Sequence, residues 1–312
     1  MMIKADLVTG FLGSGKTSFI TEYATLLSEM GRRVAIIVND HGAINVDRLI
    51  LEERLKGICP VEMVIGGDLD CTRRRLKTKL IALAMEKYEQ VIIEPSGIFD
   101  ADEFLDLMFD EALDRWYRAG SIISIVDGEM AGKLGPSARY VLAAQLAKSG
   151  AVVLGRGAKE KTGEILAWLN DCLLEFKCDK RIDGLFTWEK GALTKEDATE
   201  IDGASYVSRN IEKHSVTEDG SFESLFFFEP KLSEESVSEA VKALFADKAA
   251  GHIYRVKGYL KKENGWLELN AAEDSISVNI TDIGQEVFIV IGEGLDKEVI
   301  AGYFTGEKIW KN

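Results

Sequence analysis

The stretch Gly10-Phe11-Leu12-Gly13-Ser14-Gly15-Lys16-Thr17 decides how this chain is read. It follows a short apolar run at residues 3–9 and opens a segment with helical spacing, and it satisfies G-x-x-x-x-G-K-[ST] in full. Glycines at 10, 13 and 15 permit a tight turn whose backbone N–H groups point inward. The helix N-terminus beyond adds partial positive charge, so the loop suits a polyphosphate. Lys16 is expected to reach the β- and γ-phosphates and the Thr17 hydroxyl to ligate Mg²⁺, with Ser14 and Ser18 beside them.

Outward from that loop, strand-like and helix-like segments alternate. Residues 18–30 carry helical apolar spacing and stop at Gly31, and residues 33–38 form a nearly continuous apolar run ending in Asn39-Asp40. Such a run suits a parallel strand buried on both faces, with ligand chemistry at its polar end. A helical turn or two follows at 48–56, a strand at 60–65, a break at 66–71 and a strong helix at 72–88 opened by Arg73, Arg74 and Arg75. Cations are unfavourable at that end of a helix, so the arginines either bind an anion or simply solvate. Residues 90–94 are the next buried strand, ending in Glu94-Pro95-Ser96-Gly97. An acid there, one loop from a phosphate cradle, suits a water-mediated Mg²⁺ contact, and the Gly97 N–H suits a γ-phosphate. Further expectations are a helix at 101–118, a strand at 121–126 ending at Asp127, a helix at 140–148, a strand at 151–154, a helix at 160–176 and a short strand at 185–188.

This alternation argues for an α/β domain with a mostly parallel, doubly wound sheet. From about 199 to 222 the pattern fades into polar and acidic residues. Beyond it, closely spaced strands (225–228, 252–260, 265–270, 275–280, 286–291) with a helix at each end (233–245, 296–303) suggest a small antiparallel α+β domain. The expected division is a nucleotide-binding domain at 1–205, a linker at 206–222 and a C-terminal domain at 223–312.

Composition narrows the partners. The chain of 312 residues has 38 basic and 52 acidic side chains and a formal charge of −14. That field repels nucleic acid and anionic lipid, so neither is expected as a partner, and a phosphate ligand must be held locally by backbone. Cys59, Cys71, Cys172 and Cys178 are too scattered for a disulfide framework. With no charged-then-apolar leader and no apolar run of about 18 residues, a cytoplasmic location is expected.

Taken together, GFLGSGKT at 10–17, VNDHGAINVD at 38–47, IIEPSG at 92–97, SIVDGEM at 124–130 and YRVKGYL at 254–260 resemble the CobW family of P-loop GTPases, relatives of the UreG and HypB metallochaperones. The resemblance spans nearly the whole chain. It implies a nucleoside triphosphatase (GTP or ATP, with Mg²⁺) that assists metal or metal-cofactor insertion into a client metalloprotein or cofactor-dependent enzyme, with a homodimer among the assemblies allowed. It also implies that Lys16 and Thr17 hold phosphate and Mg²⁺, that Asp40 and Glu94 lie around the metal through water, and that either of the two orients the attacking water.

Three departures accompany the matches. Where the family carries C-x-C-C after a glycine, this chain has Gly67-Asp68-Leu69-Asp70-Cys71, and a family glutamate in the loop after the second strand is Ala43. Carboxylates prefer harder ions, and one cysteine cannot build a thiolate cage. A mixed second site of Asp68, Asp70 and Cys71 with His41 stands against the plainer reading of an acidic loop that holds no transition metal. The family's guanine reader N-K-x-D corresponds to Gly155-Arg156-Gly157-Ala158. The missing aspartate would have accepted two hydrogen bonds, worth about 3–6 kcal/mol. Relaxed guanine selectivity is therefore expected, with Arg156 stacking on a purine face. Lastly, only three histidines occur (His41, His214 and His252), so the histidine-rich segment of many relatives is lacking. The alternatives are a nucleotide-dependent regulatory protein that no longer hydrolyses, and a small-molecule kinase built on the same loop.

Overall fold

Runs rich in β-branched and apolar residues form strands buried on both faces, Ile3–Gly10 among them carrying the buried charges Lys4 and Asp6. In the computed structural model those runs assemble a parallel sheet. Residues 2–11, 13–40, 46–65, 69–95, 101–156, 159–212, 222–273 and 275–305 are described, with the backbone alone for 39, 40, 46, 47, 65, 69, 70 and 222. His41, Ala43, Asp68, Gly97, Gly157, Ala158 and His214, named in the sequence analysis, lie outside the described residues.

The chain divides into two compact units, one of residues 1–132 and 139–213 and the other of 133–138 and 214–312. In chain order the first contains β1 (Ile3–Gly10), α1 (Lys16–Glu29), β2 (Val34–Asp40), α2 (Val46–Arg54), β3 (Val61–Ile65), α3 (Leu69–Met85), β4 (Gln90–Glu94), α4 (Ala101–Met108) and β5 (Tyr117–Asp127). It continues through α5 (Pro136–Lys148), whose first residues are counted with the second unit, then β6 (Ala151–Gly155), α6 (Thr162–Glu175), β7 (Phe186–Trp188) and α7 (Lys195–Gly203). The strand order is β3-β2-β4-β1-β5-β6-β7, with parallel pairing throughout. The order reverses beside β1, so the loop after β1 emerges at the sheet's switch point, where open α/β sheets bind ligands.

Two apolar layers flank this sheet. Ala5, Leu7, Ala35 and Ile93 pack with Leu76, Leu80 and Leu83 of α3 and Phe104 of α4 on one face. Val8, Ile36 and Ile92 pack with Phe19, Tyr23 and Leu27 of α1, Leu51 of α2 and Ile201 of α7 on the other.

Three expectations change. The helix expected over 101–118 ends at Met108, and β5 begins at Tyr117 instead of Ser121. Turns replace its second half, because Asp110 accepts from the Ala112 N–H and pairs with Lys77, while the Tyr117 hydroxyl donates to the Leu80 carbonyl. The break expected over 66–71 gives way by Leu69 to α3, which puts Cys71 on a helix. The polar stretch from Thr199 begins inside α7, capped by a Thr194–Asp197 capping box.

The second unit contains β8 (Phe222–Phe228), α8 (Glu234–Ala246), β9 (His252–Lys261), β10 (Trp266–Ala272), β11 (Ser275–Thr281), β12 (Val287–Glu293) and α9 (Lys297–Phe304). Its sheet runs β11-β10-β9-β12-β8 and is antiparallel, as the close spacing of its strands predicts. One face is covered by Val237, Val241 and Leu244 of α8 and by Ile300, Tyr303 and Phe304 of α9. Both helices start on side-chain caps, Ser233 and Asp296.

Candidate nucleotide-binding site

The loop between β1 and α1 takes its shape from glycine. Gly10 has φ 147°, and a Cβ there would collide with the Ile125 carbonyl on β5. Gly15 has φ 103° and serves as the N-cap of α1 in a left-handed conformation that other residues adopt at a cost. Within the turn, the Ser14 N–H donates to the Phe11 carbonyl at 3.0 Å.

The side chains around this loop are arranged for a polyanion. Lys16 is buried, and its Nζ donates to the carbonyls of Gly10 at 3.0 Å and Phe11 at 3.3 Å, so the ammonium lies along the loop's own rim. Among the described residues Ser14 Oγ is buried with no hydrogen-bond partner, as is Thr9 Oγ1 at the end of β1. A buried hydroxyl without a partner is costly, and one at the mouth of a phosphate loop fits a ligand that supplies the bond. The Thr17 hydroxyl donates to Glu94 Oε1 at 3.1 Å, joining the first turn of α1 to the end of β4. Glu94 is 4 % exposed, so its carboxylate is held in a poorly hydrated position where a divalent cation would be a favourable neighbour. Ser18 follows on α1, half-buried.

Asp40 ends β2, whose Val38 pairs with Glu94, so the backbone brings both acids to the same end of the sheet as the loop. The predicted Lys16, Thr17, Glu94 and Asp40 thus share one edge. Cys71 is half-buried on the first turn of α3, with its Sγ 3.7 Å from Arg74, while Arg73, Arg74 and Arg75 are exposed. Among the described residues no three His, Cys, Asp or Glu side chains are grouped to hold a metal ion. Cys172 and Cys178 are buried, and burial pushes the Cys172 thiol up to about 12, as befits an inert core residue.

Arg156 follows β6 with φ 46°. One of its amino groups donates to the Gly13 carbonyl, and the other lies 3.6 Å from Asp127 Oδ2 at the end of β5. The Trp188 ring fills the neighbouring space. A Cβ on Gly155 would lie 3.1 Å from its Cε3, and one on Gly15 would lie 3.4 Å from its Cζ3. The Trp188 indole N–H donates to Glu22 on α1 at 3.1 Å, and Glu22 also accepts from the Gly191 N–H at 2.6 Å. Neither Asp127 nor Trp188 was singled out in the sequence. An acid closing a buried strand beside the loop was the signal for Asp127, whereas Trp188 gave none beyond its strand.

The same strands carry a second polar cluster nearer their starts. Lys4 and Asp6 of β1 pair at 2.8 Å, and Lys4 also meets Asp202 of α7 at 2.6 Å. Arg32 pairs with Asp202 at 2.6 Å, and Gln90, Tyr23 and the Ser121 N–H complete the coordination of Asp6. A β-bulge makes this possible. Gly120 and Ser121 of β5 both lie across from Asp6, and a Cβ on Gly120 would collide with its carboxylate. Burial pushes the Asp6 carboxyl up against the opposing pull of Lys4. Burial pushes Asp202 the same way, but its hydrogen bond and charge contact with Lys4, with bonds from Arg32 and Gln90, hold it below the usual carboxylate range.

The nucleotide-binding domain described as CobW/HypB/UreG matches residues 4–165. A zinc-regulated GTPase metalloprotein activator 1 from Dictyostelium discoideum is 38% identical over 108 residues, which cover 31% of this chain and 22% of that protein. The zinc chaperone YjiA of Escherichia coli is 29% identical over 133 residues, 40% of each. The match thus spans well under half the length of these curated relatives. The crystal structure of Zn(II)-bound YjiA GTPase from E. coli aligns over 99% of this chain and 100% of its own at 21% identity, with a TM-score of 0.36. No described helix is long and apolar enough to cross a membrane. With the domain match running from the first strand past Arg156 and taking in every described element of the phosphate loop, the chain belongs to the CobW/HypB/UreG family and carries its nucleotide-binding domain.

Proposed function

We propose that this protein is a nucleoside-triphosphate-hydrolysing switch that helps insert or activate a metal centre in a client protein, and that it discriminates weakly between GTP and ATP. The observation that carries the nucleotide part is the phosphate loop, with its inward Lys16, its partnerless buried Ser14 hydroxyl and the Thr17–Glu94 contact. The metal-delivery part is supported by the zinc-chaperone and metalloprotein-activator names of the similar proteins.

On binding, the triphosphate takes the place of the Gly10 and Phe11 carbonyls as the partner of Lys16, and Ser14 gains its missing bond. Both changes favour the bound loop over the free one. Thr17, Glu94 and Asp40 are the residues that would hold Mg²⁺, which supplies charge stabilisation at the phosphates when bound. Glu94 and Asp40 are acids at strand ends that could orient a water for attack, while Asp127, at the end of β5, faces Arg156. Relaxed base choice is supported by the glycine at 155, where a Cβ would already sit tightly against the Trp188 ring, and by Arg156, whose guanidinium is engaged by the loop and Asp127.

The test is calorimetric titration with Mg²⁺–GTP and Mg²⁺–ATP, together with phosphate release, for the wild type and Lys16→Ala. Both nucleotides should bind within about a hundredfold of each other, and loss of the lysine should weaken both by about a hundredfold or more, as expected for losing a charge-assisted bond in a buried site. Retention of neither nucleotide would sink the switch reading. A GTP preference beyond that range would sink relaxed selectivity alone.

A further inference from the structure

We infer that Arg156, together with Asp127, is a positioning device for the phosphate loop, so that this corner of the site sets how tightly any triphosphate is held and does not read the base. The inference rests on the nucleotide reading above and gives Arg156 a task other than stacking on a purine.

Four observations carry it. The Gly13–Ser14 peptide is held from both sides, with the Gly13 carbonyl accepting from Arg156 and the Ser14 N–H donating to Phe11. A trans peptide points its C=O and N–H in opposite directions, so pinning both fixes the peptide plane and with it the orientation of the loop. Second, the guanidinium is aimed. Asp127, with its side chain 1 % exposed, faces one amino group while the other reaches Gly13. A planar fork can serve two acceptors at once in a way that a lysine ammonium on a flexible stem does not reproduce.

Third, the backbone of Arg156 is itself fixed. Its φ of 46° is uncommon for a residue other than glycine, and its carbonyl accepts from the Gly128 N–H at 2.8 Å. Asp127 is anchored in turn by accepting from the Glu129 N–H at 3.0 Å. The two residues therefore form a closed bracket between the ends of β5 and β6, with the loop as its third side. Fourth, the Trp188 ring lies against both Gly15 and Gly155 and is tied to α1 through Glu22, so the start of the helix is buttressed beside the bracket. Together these contacts restrict the loop before any ligand arrives. Such restriction lowers the ordering cost of binding whatever the ligand's base.

The experiment compares wild type, Arg156→Ala, Arg156→Lys, Asp127→Asn and the double variant Asp127→Asn/Arg156→Ala, titrated calorimetrically with the Mg²⁺ complexes of GTP, ATP and CTP and with base-free inorganic triphosphate. Thermal unfolding without ligand confirms that each variant is folded at the titration temperature. The expected result is a loss of about tenfold or more, equal for all four ligands, in Arg156→Ala and in Asp127→Asn, since the charge-assisted bond of Arg156 to the Gly13 carbonyl is removed in one and left unaimed in the other. The double variant should be no weaker than the worse single one, because the two residues act as one unit. Arg156→Lys should recover only a minor part of the loss. A loss confined to GTP and ATP would overturn the inference in favour of stacking. Additive losses, full rescue by lysine or unchanged affinities would overturn it as well. If the wild type binds none of the four ligands, the nucleotide reading itself falls, which is a separate result from a wild type that binds while its variants fail to couple.

Discussion

The two polar clusters borne by the central sheet use the same strands and opposite chemistry. Toward the starts of β1, β4 and β5, Lys4, Asp6, Gln90 and Ser121 satisfy one another together with Tyr23, Arg32 and Asp202. At the other end of β1 the chain turns through glycines, Lys16 rests on loop carbonyls, and the buried hydroxyls of Thr9 and Ser14 have no partner among the described residues. One cluster is closed and the other is poised for something to arrive. The lesson is that a buried polar group is informative by whether its bonds are made. Complete bonding at one end is expected to hold the sheet together, and incomplete bonding beside the glycine turn fits the proposal that a ligand brings the missing partners there.

The largest effect that tests this contrast is Asp6→Ala. It removes the acceptor shared by Lys4, Tyr23, Gln90 and the Ser121 N–H, and although Asp202 still meets Lys4, leaving buried donors short of a partner costs about 1–3 kcal/mol each. Urea unfolding should show that loss, while the surviving folded protein binds Mg²⁺–ATP as the wild type does. A drop of under about 1 kcal/mol would mean that the closed cluster contributes little to holding the sheet. Lys16→Ala should behave in the reverse sense, losing nucleotide and leaving the unfolding midpoint almost unmoved.

A smaller effect separates the two aspartates. Because Asp202 is held below the usual carboxylate range, it contributes stability that is fully present above the ordinary aspartate value of 3.8 and is lost as pH falls through its lower folded-state value. Asp6, which burial pushes up, works against folding as pH rises above 3.8 through its raised value. The gap in melting temperature between wild type and Asp202→Asn should therefore be constant near neutrality and narrow below pH 3.8. A gap that stays constant down to pH 2.5–3, roughly a unit into acid, would show that Asp202 is held by shape and not by charge.

How much of this was legible in the chain follows the same division. The phosphate loop could be read because its chemistry is local. Eight consecutive residues contain the turn, the cation and the hydroxyl, and the apolar runs on either side fix strand and helix. Glu94 and Asp40 could be read because each ends a buried strand inside a motif the chain spells out, IIEPSG at 92–97 and VNDHGAINVD at 38–47, whereas Asp127 carried the same strand-end signal without being assigned a role. The closed cluster could not be assembled, since its members stand at 4, 6, 23, 32, 90, 121 and 202, and pairing them requires the sheet order. Its trace was nevertheless present: Lys4 and Asp6 are charges on one face of a strand otherwise fit only for burial. The helix expected beyond Met108 failed because Leu113 keeps apolar spacing while lying in a turn that Asp110 closes. The bracket around Arg156 was half visible, as a departure from N-K-x-D, but its partner Asp127 lies 29 positions earlier and only the β5–β6 pairing brings them together.

The link between Lys4 and Asp202 spans 198 positions and bears on biosynthesis. While the ribosome is still making the middle of the chain, the first strand carries two charges that its final surroundings will desolvate, and one of the two carboxylates that meet Lys4 has yet to be synthesised. Asp6 already pairs with Lys4, so what is missing is the second carboxylate, and the sheet is expected to close less readily until Asp202 is made, because a buried charge cluster is stable only when all its members are satisfied. A nascent chain stalled after residue 191 should remain open to protease across β1, and one stalled about 40 residues beyond Asp202, clear of the exit tunnel, should be protected. Equal protection at both lengths would show that the sheet closes without α7.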